Sequence, residues 1–338
     1  MNASSCHVPL EAELNFLSQP ANYPEPTRSV AAVETHMAWV FLTDDHAYKL
    51  KKPIRYGPLD ARLVPMRHFY CAEEVRLNRR LAAGIYLAAL PLTLEADGDL
   101  AFVGDGVTVD WLVKMRRLPQ ELMLDDRIAR GCANTGDMER VAALLAGFHR
   151  RCRKALPRAQ PFSRRIAEVI DRHEAELLSP AYQLAPAAVA PVSAAQRTTL
   201  ARLAQVIDQR HGLGYVVEGH GDLRAEHVYL GQPTAIIDCI EFSRELRTLD
   251  SLDEAAFLAL ECERLGVPAL GDAFLESYAR HSGQETSGEL RHFYQSVRAV
   301  TRATVAIRHL AEPRYRQSPK WRQRALDYLA LAQRHLPR

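Results

Sequence analysis

Two aspartates carry the chemistry this chain is equipped to do. One lies in Gly219-His220-Gly221-Asp222-Leu223-Arg224-Ala225-Glu226-His227-Val228-Tyr229-Leu230, the other in Ala235-Ile236-Ile237-Asp238-Cys239-Ile240. Val216-Val217 and His227–Leu230 are short runs with β-branched, aromatic and apolar residues, and Gly231-Gln232-Pro233-Thr234 is a turn cluster. Ala235–Ile237 shows no polar alternation, the pattern of a strand buried on both faces. The segment reads as a tight β-hairpin, with Asp222 in the polar loop before its first strand and Asp238 closing its second. A carboxylate at the end of an apolar strand is costly unless something pairs with it, and a divalent cation would do so. Acids so placed suit phosphoryl transfer, in which one orients a hydroxyl nucleophile and the other holds the metal bridging the phosphates of ATP.

The same string resembles the HGDxxxxN catalytic loop and the IID metal strand of the aminoglycoside phosphotransferase family, small-molecule kinases with a protein-kinase-like fold. The resemblance runs from about Val30 to Arg280 and is most specific at the two aspartates. It implies an ATP-dependent phosphotransferase acting on a hydroxyl of a small molecule, with ATP and Mg2+ (or Mn2+) as cofactors. Asp222 would be the catalytic base, Asp238 the magnesium-binding Asp and Arg224 a cation against the γ-phosphate. The chain departs from the pattern at one metal ligand, where the family has Asn five residues after the base and this chain has His227. Imidazole is softer than an amide oxygen and suits magnesium less well. Two readings stay open: His227 ligates a metal such as manganese, or one cation is held mainly by Asp238 and phosphates. Some relatives fuse such a kinase-like half to a P-loop ATPase, and no G-x-x-x-x-G-K-[ST] occurs in this sequence.

For the nucleotide, the resemblance implies that Lys49, in Ala47-Tyr48-Lys49-Leu50-Lys51, meets the α- and β-phosphates, and that Glu74 on the next helix is its ion-pair partner. Lys51 projects to the same strand face as Lys49, and Glu73 adjoins Glu74, so both stay as alternatives. Taken alone, lysines at a strand end and a Glu pair on a helix are ordinary solvated groups. Trp111–Pro119 reads as the last strand of the small lobe entering a hinge, with Met115 flanking the adenine ring. A Gly-rich phosphate loop is missing; Glu34-Thr35-His36 fills the first hairpin turn, leaving phosphate closure to the Thr35 hydroxyl and the backbone.

The elements that must position these residues follow a kinase order. A lead-in over residues 1–28 carries a short helix near Leu10–Leu17. Strands are predicted at Val30–Val33, Ala38–Leu42 and Ala47–Leu50, then a helix over Pro65–Ala82 with Phe69, Ala72, Leu77 and Leu81 as its apolar stripe. Further strands at Leu90–Leu94, Leu100–Val103 and Val107–Met115 complete a small sheet. Beyond Pro119 the pattern turns helical: Asp137 N-caps one helix, a loop fills the Ala/Pro-rich stretch Pro180–Pro191, and helices follow Ser193 and Leu252. The expected fold is α+β, protein-kinase-like and bilobal. Its lobes are a nucleotide-binding sheet-and-helix lobe at 29–118 and a larger helical lobe at 119–338 carrying the catalytic hairpin.

Composition bounds the rest. A chain of 338 residues accommodates two cores, and the near-balanced formal charge of +2 gives no case for nucleic acid. Cations from Arg314 to Arg338, interleaved with Trp321, Leu326, Tyr328 and Leu329, read as a terminal helix with a solvated basic face. Cys6, Cys71, Cys132, Cys152, Cys239 and Cys262 are scattered without a C-x-x-C pair, as expected of reduced cytoplasmic thiols. No run is long and apolar enough for a membrane span. The partners expected are a nucleotide and a small hydroxyl acceptor, with the oligomeric state open. Two rival functions compete with the kinase: a metal-dependent hydrolase built on His220, Asp222, His227 and Asp238, and a non-catalytic nucleotide-binding protein. The carboxylates Glu241, Glu245, Asp250, Asp253, Glu254, Glu261 and Glu263 read mostly as solvated faces or helix-start charges.

Overall fold

A computed structural model describes residues 8–156, 160–284 and 287–337; Cys6, Arg338 and the first seven residues of the lead-in lie outside them. In chain order the first elements are α1 (Leu10–Leu17), β1 (Ala31–Glu34), β2 (Ala38–Leu42), β3 (His46–Lys51), β4 (Arg55–Tyr56) and β5 (Leu59–Asp60). Next come α2 (Val64–Asn78), β6 (Tyr86–Leu94), β7 (Leu100–Phe102), β8 (Val107–Arg116), α3 (Leu124–Ala129), α4 (Thr135–Arg151), α5 (Phe162–Leu177) and α6 (Pro186–Gly212). The last are β9 (Val216–Glu218), β10 (Val228–Tyr229), β11 (Ala235–Ile236), β12 (Thr248–Asp250), α7 (Ser251–Arg264), α8 (Pro268–Ser282), α9 (Gly288–Arg308) and α10 (Pro319–Arg334). The chain divides into two compact units: one runs to Leu122 and includes Ala235–Leu246, the other comprises Met123–Thr234 and Arg247–Arg338.

The first unit is an antiparallel sheet in the order β1-β2-β3-β8-β6-β7. Alternation along β3 sends Tyr48 and Leu50 into a core with Leu17, Tyr23, Phe41, Leu92, Val109 and Leu112, so Lys49 and Lys51 point to the opposite face. Register places Lys49 opposite Val40 on one side and Val113 on the other. Helix α2 packs on β8 and β6. It ends at Asn78, short of the predicted Ala82, and the predicted stripe is wrong in part: Phe69 is 53% exposed and Ala72 is exposed. The face that is buried carries Arg67, Tyr70, Cys71, Glu74, Val75, Leu77 and Asn78. Charged residues on that face have buried partners, which apolar periodicity does not register.

The second unit is helical. One core joins Phe162, Ile166 and Ile170 of α5 to Leu200, Leu203 and Ile207 of α6, Leu252 and Ala256 of α7, and Leu290, Phe293 and Tyr294 of α9. Another packs Val300, Ala303 and Ile307 of α9 on Tyr328, Leu329 and Ala332 of α10. The Ala/Pro-rich stretch is not wholly a loop, because α6 begins at Pro186 and contains Pro191. Proline at the first turn lacks only an N–H that would be unsatisfied anyway, and Val189 and Val192 bury the turns around Pro191. Asn134, not Asp137, caps α4; Asp137 closes the reciprocal capping box from the third helical position. β9 pairs antiparallel with β12, a strand with no sequence prediction. Cys71, Cys132, Cys152, Cys239 and Cys262 are free thiols. No helix among the described residues is long and apolar enough to cross a membrane.

A buried ion pair ties this unit together. Arg210 donates to both Asp250 oxygens at 2.6 and 2.7 Å and to Gln284 at 2.8 Å, while Asp250 also accepts from the Leu252 N–H at the start of α7 and from the Tyr294 hydroxyl. Arg210→Met would leave the Asp250 carboxylate buried without its cation, a change that costs about 3–5 kcal/mol. A urea titration followed by circular dichroism should show the midpoint fall accordingly; an unchanged midpoint would show that the pair adds nothing.

Candidate active site

In the sheet unit, five charged groups form one chain. The Lys49 ammonium donates to Glu74 Oε1 at 2.8 Å and to Asp238 Oδ1 at 2.9 Å. The Lys51 ammonium donates to Glu74 Oε2 and to Glu241 Oε1, both at 2.5 Å. Both lysines of β3 thus reach the same carboxylate, as their shared strand face requires, and Glu74 rather than Glu73 is their partner. Glu73 instead pairs with Arg76 at the surface. Glu74 is fully buried, whereas the Asp238 side chain is 45% exposed. Burial alone would lift the Glu74 carboxyl; Lys49 and Lys51 outweigh it and hold the group below the ordinary Glu value. Burial likewise opposes the Lys49 charge, but Asp238, Glu74 and Glu241 carry its ammonium well above the ordinary lysine value.

Asp238 is placed by backbone anchors on its own segment. Its N–H donates to the Tyr86 hydroxyl at 3.1 Å, and the next N–H, of Cys239, donates to Asn78 Oδ1 at 2.9 Å. Asn78 Nδ2 in turn donates to the Glu74 carbonyl at 2.9 Å, so one amide links the helix turn bearing Glu74 to the segment bearing Asp238. Asp238 adopts φ +62°, a left-handed conformation that Asp tolerates better than most side chains. Neither Asn78 nor Tyr86 was expected from sequence. Asn78 had a usable signal, since it lies one helical turn after Glu74 and shares its face.

Met115 and Thr35 occupy the expected elements. Met115 sits on β8 between Ala47 of β3 and Tyr86 of β6. The Thr35 hydroxyl is engaged in its own turn, donating to the Ala38 carbonyl at 2.8 Å and accepting from the Ala38 N–H at 3.0 Å.

In the helical unit, the loop around Asp222 is built on Glu254. This buried carboxylate accepts from the N–H groups of His220 at 3.0 Å and Gly221 at 2.6 Å, and meets His149 Nε2 at 2.8 Å. The other His149 nitrogen meets the Tyr278 hydroxyl at 2.8 Å. Two glycines make the approach possible. A Cβ on Gly219 would stand 2.7 Å from Glu254 Oε2, and Gly221 has φ +95°, which side-chain-bearing residues rarely adopt. Burial raises the Glu254 carboxyl, but His149, His220 and the Gly221 N–H outweigh it and bring it down to about 2. Asp250, Glu254 and Glu261 are all buried: Asp250 and Glu254 are helix-start charges of α7, one of the two expected readings, whereas Glu261 corrects the expectation of a solvated face.

Asp222 itself is ringed by two guanidiniums and an imidazole. Arg302 Nη1 lies 3.7 Å from Oδ1, while His227 Nδ1 at 3.9 Å and Arg224 Nη1 at 4.0 Å face Oδ2. Burial works against the charge, yet Arg302, His227 and Arg224 together hold the carboxyl below the ordinary Asp value of 3.8. Arg224 also pairs with Glu226. His227 Nδ1 is 2.8 Å from the Asp222 carbonyl; a carbonyl only accepts, so Nδ1 carries the proton and Nε2 is the ring's lone-pair nitrogen when the imidazole is neutral. Arg298 donates to both Asp253 oxygens at 2.7 Å and to the Gly221 carbonyl at 3.2 Å. Arg298 and Arg302, one turn apart on α9, thus address the loop together. Sequence reasoning missed both, because α9 lies far beyond the loop in the chain. Among the described residues, no three His, Cys, Asp or Glu side chains converge as a metal-holding group.

No protein-family model matches the chain. Uncharacterized proteins of Mycobacterium tuberculosis (strain ATCC 25618 / H37Rv) and Mycobacterium bovis (strain ATCC BAA-935 / AF2122/97) are 34% identical over 319 residues, covering 90% of this chain. The chain spans 59% of the length of these curated relatives. Among solved structures, a choline/ethanolamine kinase family protein from Mesorhizobium loti aligns with TM-score 0.57 at 17% identity, covering 96% of this chain and 93% of that one. Choline kinase from Cryptosporidium parvum Iowa II gives 0.56 at 10% identity, covering 96% and 94%. Choline kinase LicA from Streptococcus pneumoniae gives 0.53 at 18%, covering 90% and 94%, and a LicA structure in complex with AMP gives 0.52 at 17%, covering 90% and 92%. The chain has the protein-kinase-like fold of these small-molecule kinases. Within that fold, the strand with Lys49, the helix with Glu74 and the segment with Asp238 belong to the sheet unit, and the loop with Asp222 to the helical one.

The Glu254 carboxyl gives the kinase-like fold a pH signature. Its pKa is depressed from 4.5 to about 2, so its contribution is fully present above 4.5 and is lost as pH falls toward 2. A shift of that size corresponds to about 3 kcal/mol. Glu254→Gln should remove this part of the stability–pH slope in acid urea titrations, and an unchanged slope would show that Glu254 is not the group responsible.

Proposed function

We propose that the chain is an ATP-dependent phosphotransferase that moves the γ-phosphoryl group to a hydroxyl of a small molecule, and that it groups with the choline kinases and aminoglycoside phosphotransferases. The observation carrying this reading is the Lys49 ammonium shared between Glu74 and Asp238 at 2.8 and 2.9 Å. A lysine on the third strand held by a buried helix carboxylate is the arrangement that kinases use to place α- and β-phosphates. The fold of choline and ethanolamine kinases, one of them solved with AMP, supports it.

The donor chemistry fits a hard divalent ion. Asp238, Glu74 and Glu241 outnumber Lys49 and Lys51 by one charge, and Asp238 is the most exposed of the acids. Asp238 would hold the divalent ion, and the family resemblance alone carries His227 as a second, softer ligand. When bound, the ion would offset phosphate charge. Lys49 would position the α- and β-phosphates, Met115 would flank the adenine, and Thr35 would act only through the turn it closes. Asp222, kept ionised by its cations, would orient the acceptor hydroxyl and take its proton. The hydroxyl oxygen bonds the γ-phosphorus as the bond to the β–γ bridging oxygen breaks, and ADP leaves. Arg224 would offset charge on the group in transit.

Transfer from labelled ATP should be measured against a panel of sugars, sugar acids, amino alcohols, nucleosides, choline, ethanolamine and aminoglycosides. Asp222→Asn should lower kcat by about 10²–10⁴ while the ATP-induced thermal shift persists; Lys49→Met should instead weaken that shift. Asp222 protonation should add no acidic limb to kcat above 3.8. Full turnover by Asp222→Asn would refute the base assignment.

A further inference from the structure

The groups around Asp222 also constrain what the acceptor can be. An ammonium-bearing alcohol such as choline needs carboxylates or an open aromatic face near the reacting hydroxyl. In the helical unit the carboxylates of the β12–α7 segment are already engaged. Asp250 binds Arg210, Asp253 binds Arg298, and Glu254 binds His149 and the loop N–H groups. Glu261 takes Arg264 and the Tyr328 hydroxyl, and Glu263 takes His335 and Arg334. Trp321 is covered by the His309 ring stacked on it at 3.7 Å, with Lys320 and Arg324 over its face. Each of these five β12–α7 acids already has a partner, and Asp222 on the neighbouring loop already faces Arg302 and Arg224.

Arg302 is in the opposite position. Its guanidinium is 15% exposed, and the one carboxylate within 4 Å among the described residues is Asp222, at 3.7 Å. That is beyond hydrogen-bond length. Its Nε is buried without a hydrogen-bond partner. Arg298, one turn earlier, shows what a satisfied guanidinium looks like here, with two 2.7 Å bonds to Asp253. A planar fork that faces Asp222 at 3.7 Å, with the Tyr328 hydroxyl also beside it, and that is held next to the proposed base through its Nη groups, is suited to a carboxylate or phosphate.

Resting on the phosphotransferase reading, we infer that the acceptor is an alcohol that also carries an oxyanion, and that Arg302 binds that oxyanion while Asp222 takes the hydroxyl proton. This separates the chain from the choline and ethanolamine kinases that share its fold, whose acceptors are ammonium alcohols.

The test uses three acceptor pools with labelled ATP: hydroxy and sugar acids with sugar monophosphates, neutral polyols, and ammonium alcohols. Transfer should be confined to the first pool, and its members split carboxylate from phosphate recognition. Arg302→Gln should raise the acceptor KM by about 10- to 100-fold with the ATP KM unchanged, and Arg302→Lys should recover part of the loss. Preferred transfer to ammonium or neutral alcohols overturns this inference alone, as does an Arg302→Gln defect confined to the ATP KM. Absence of transfer to every pool overturns it together with the phosphotransferase reading.

Discussion

The buried carboxylate of Glu74 is the constraint around which the sheet unit is organised. A bare carboxylate at zero exposure is not sustainable in an apolar interior. Glu74 is sustained because alternation along β3 delivers two ammonium groups to one face, one for each of its oxygens. That requirement fixes the rotation of α2, which must turn Glu74 inward even though an exposed Phe69 is left outside. It also leaves each lysine a further donor, which Asp238 and Glu241 take up. The placement of Asp238 is therefore a consequence of how Glu74 is neutralised, reinforced by Asn78 and Tyr86.

The helical unit solves a similar problem by a different route. Glu254 is buried like Glu74, but it is stabilised by two backbone N–H groups and an imidazole where Glu74 has two lysines. The two inner acids are themselves withdrawn from solvent. Each shapes the backbone or side chain beside a more exposed acid, Asp238 in one unit and Asp222 in the other. An inner acid whose charge is locked gives the outer one a fixed position, in the sheet unit through the lysine that both share.

The sequence made most of this legible where pattern and chemistry coincide. Strands β2, β3, β6, β7 and β8 were readable because apolar runs alternate with turn residues, and β3 in particular predicts that Lys49 and Lys51 share a face. Asp222 and Asp238 were readable because glycine, turn and apolar strand surround them in one short segment. What periodicity could not show is partnership across long separations. Glu254, Asp250 and Glu261 read as solvated-face or helix-start acids, and their burial shows only when His149, Arg210 and Arg264 are placed against them. Arg298 and Arg302 carry no signal of their own until α9 is seen against the loop. Pro191 argues for a loop until the valines around it are buried, and Asp137 looks like a cap until Asn134 takes that place.

These errors share a cause. Burial of a charge is decided by its partner, and the partner is set by tertiary packing rather than by neighbours in sequence. The same reasoning bears on specificity. Two proteins can share the fold, the strand lysine and both aspartates, yet differ in acceptor if the remaining charges are committed differently. Here the acids of α7 are spent on short internal bonds, whereas the Arg302 guanidinium of α9 makes a longer, 3.7 Å contact with Asp222. Selectivity in such a scaffold need not arise from new groups in a pocket. It can arise from which of the existing charges the fold has already neutralised, since only an unneutralised group has interaction energy left to offer a ligand.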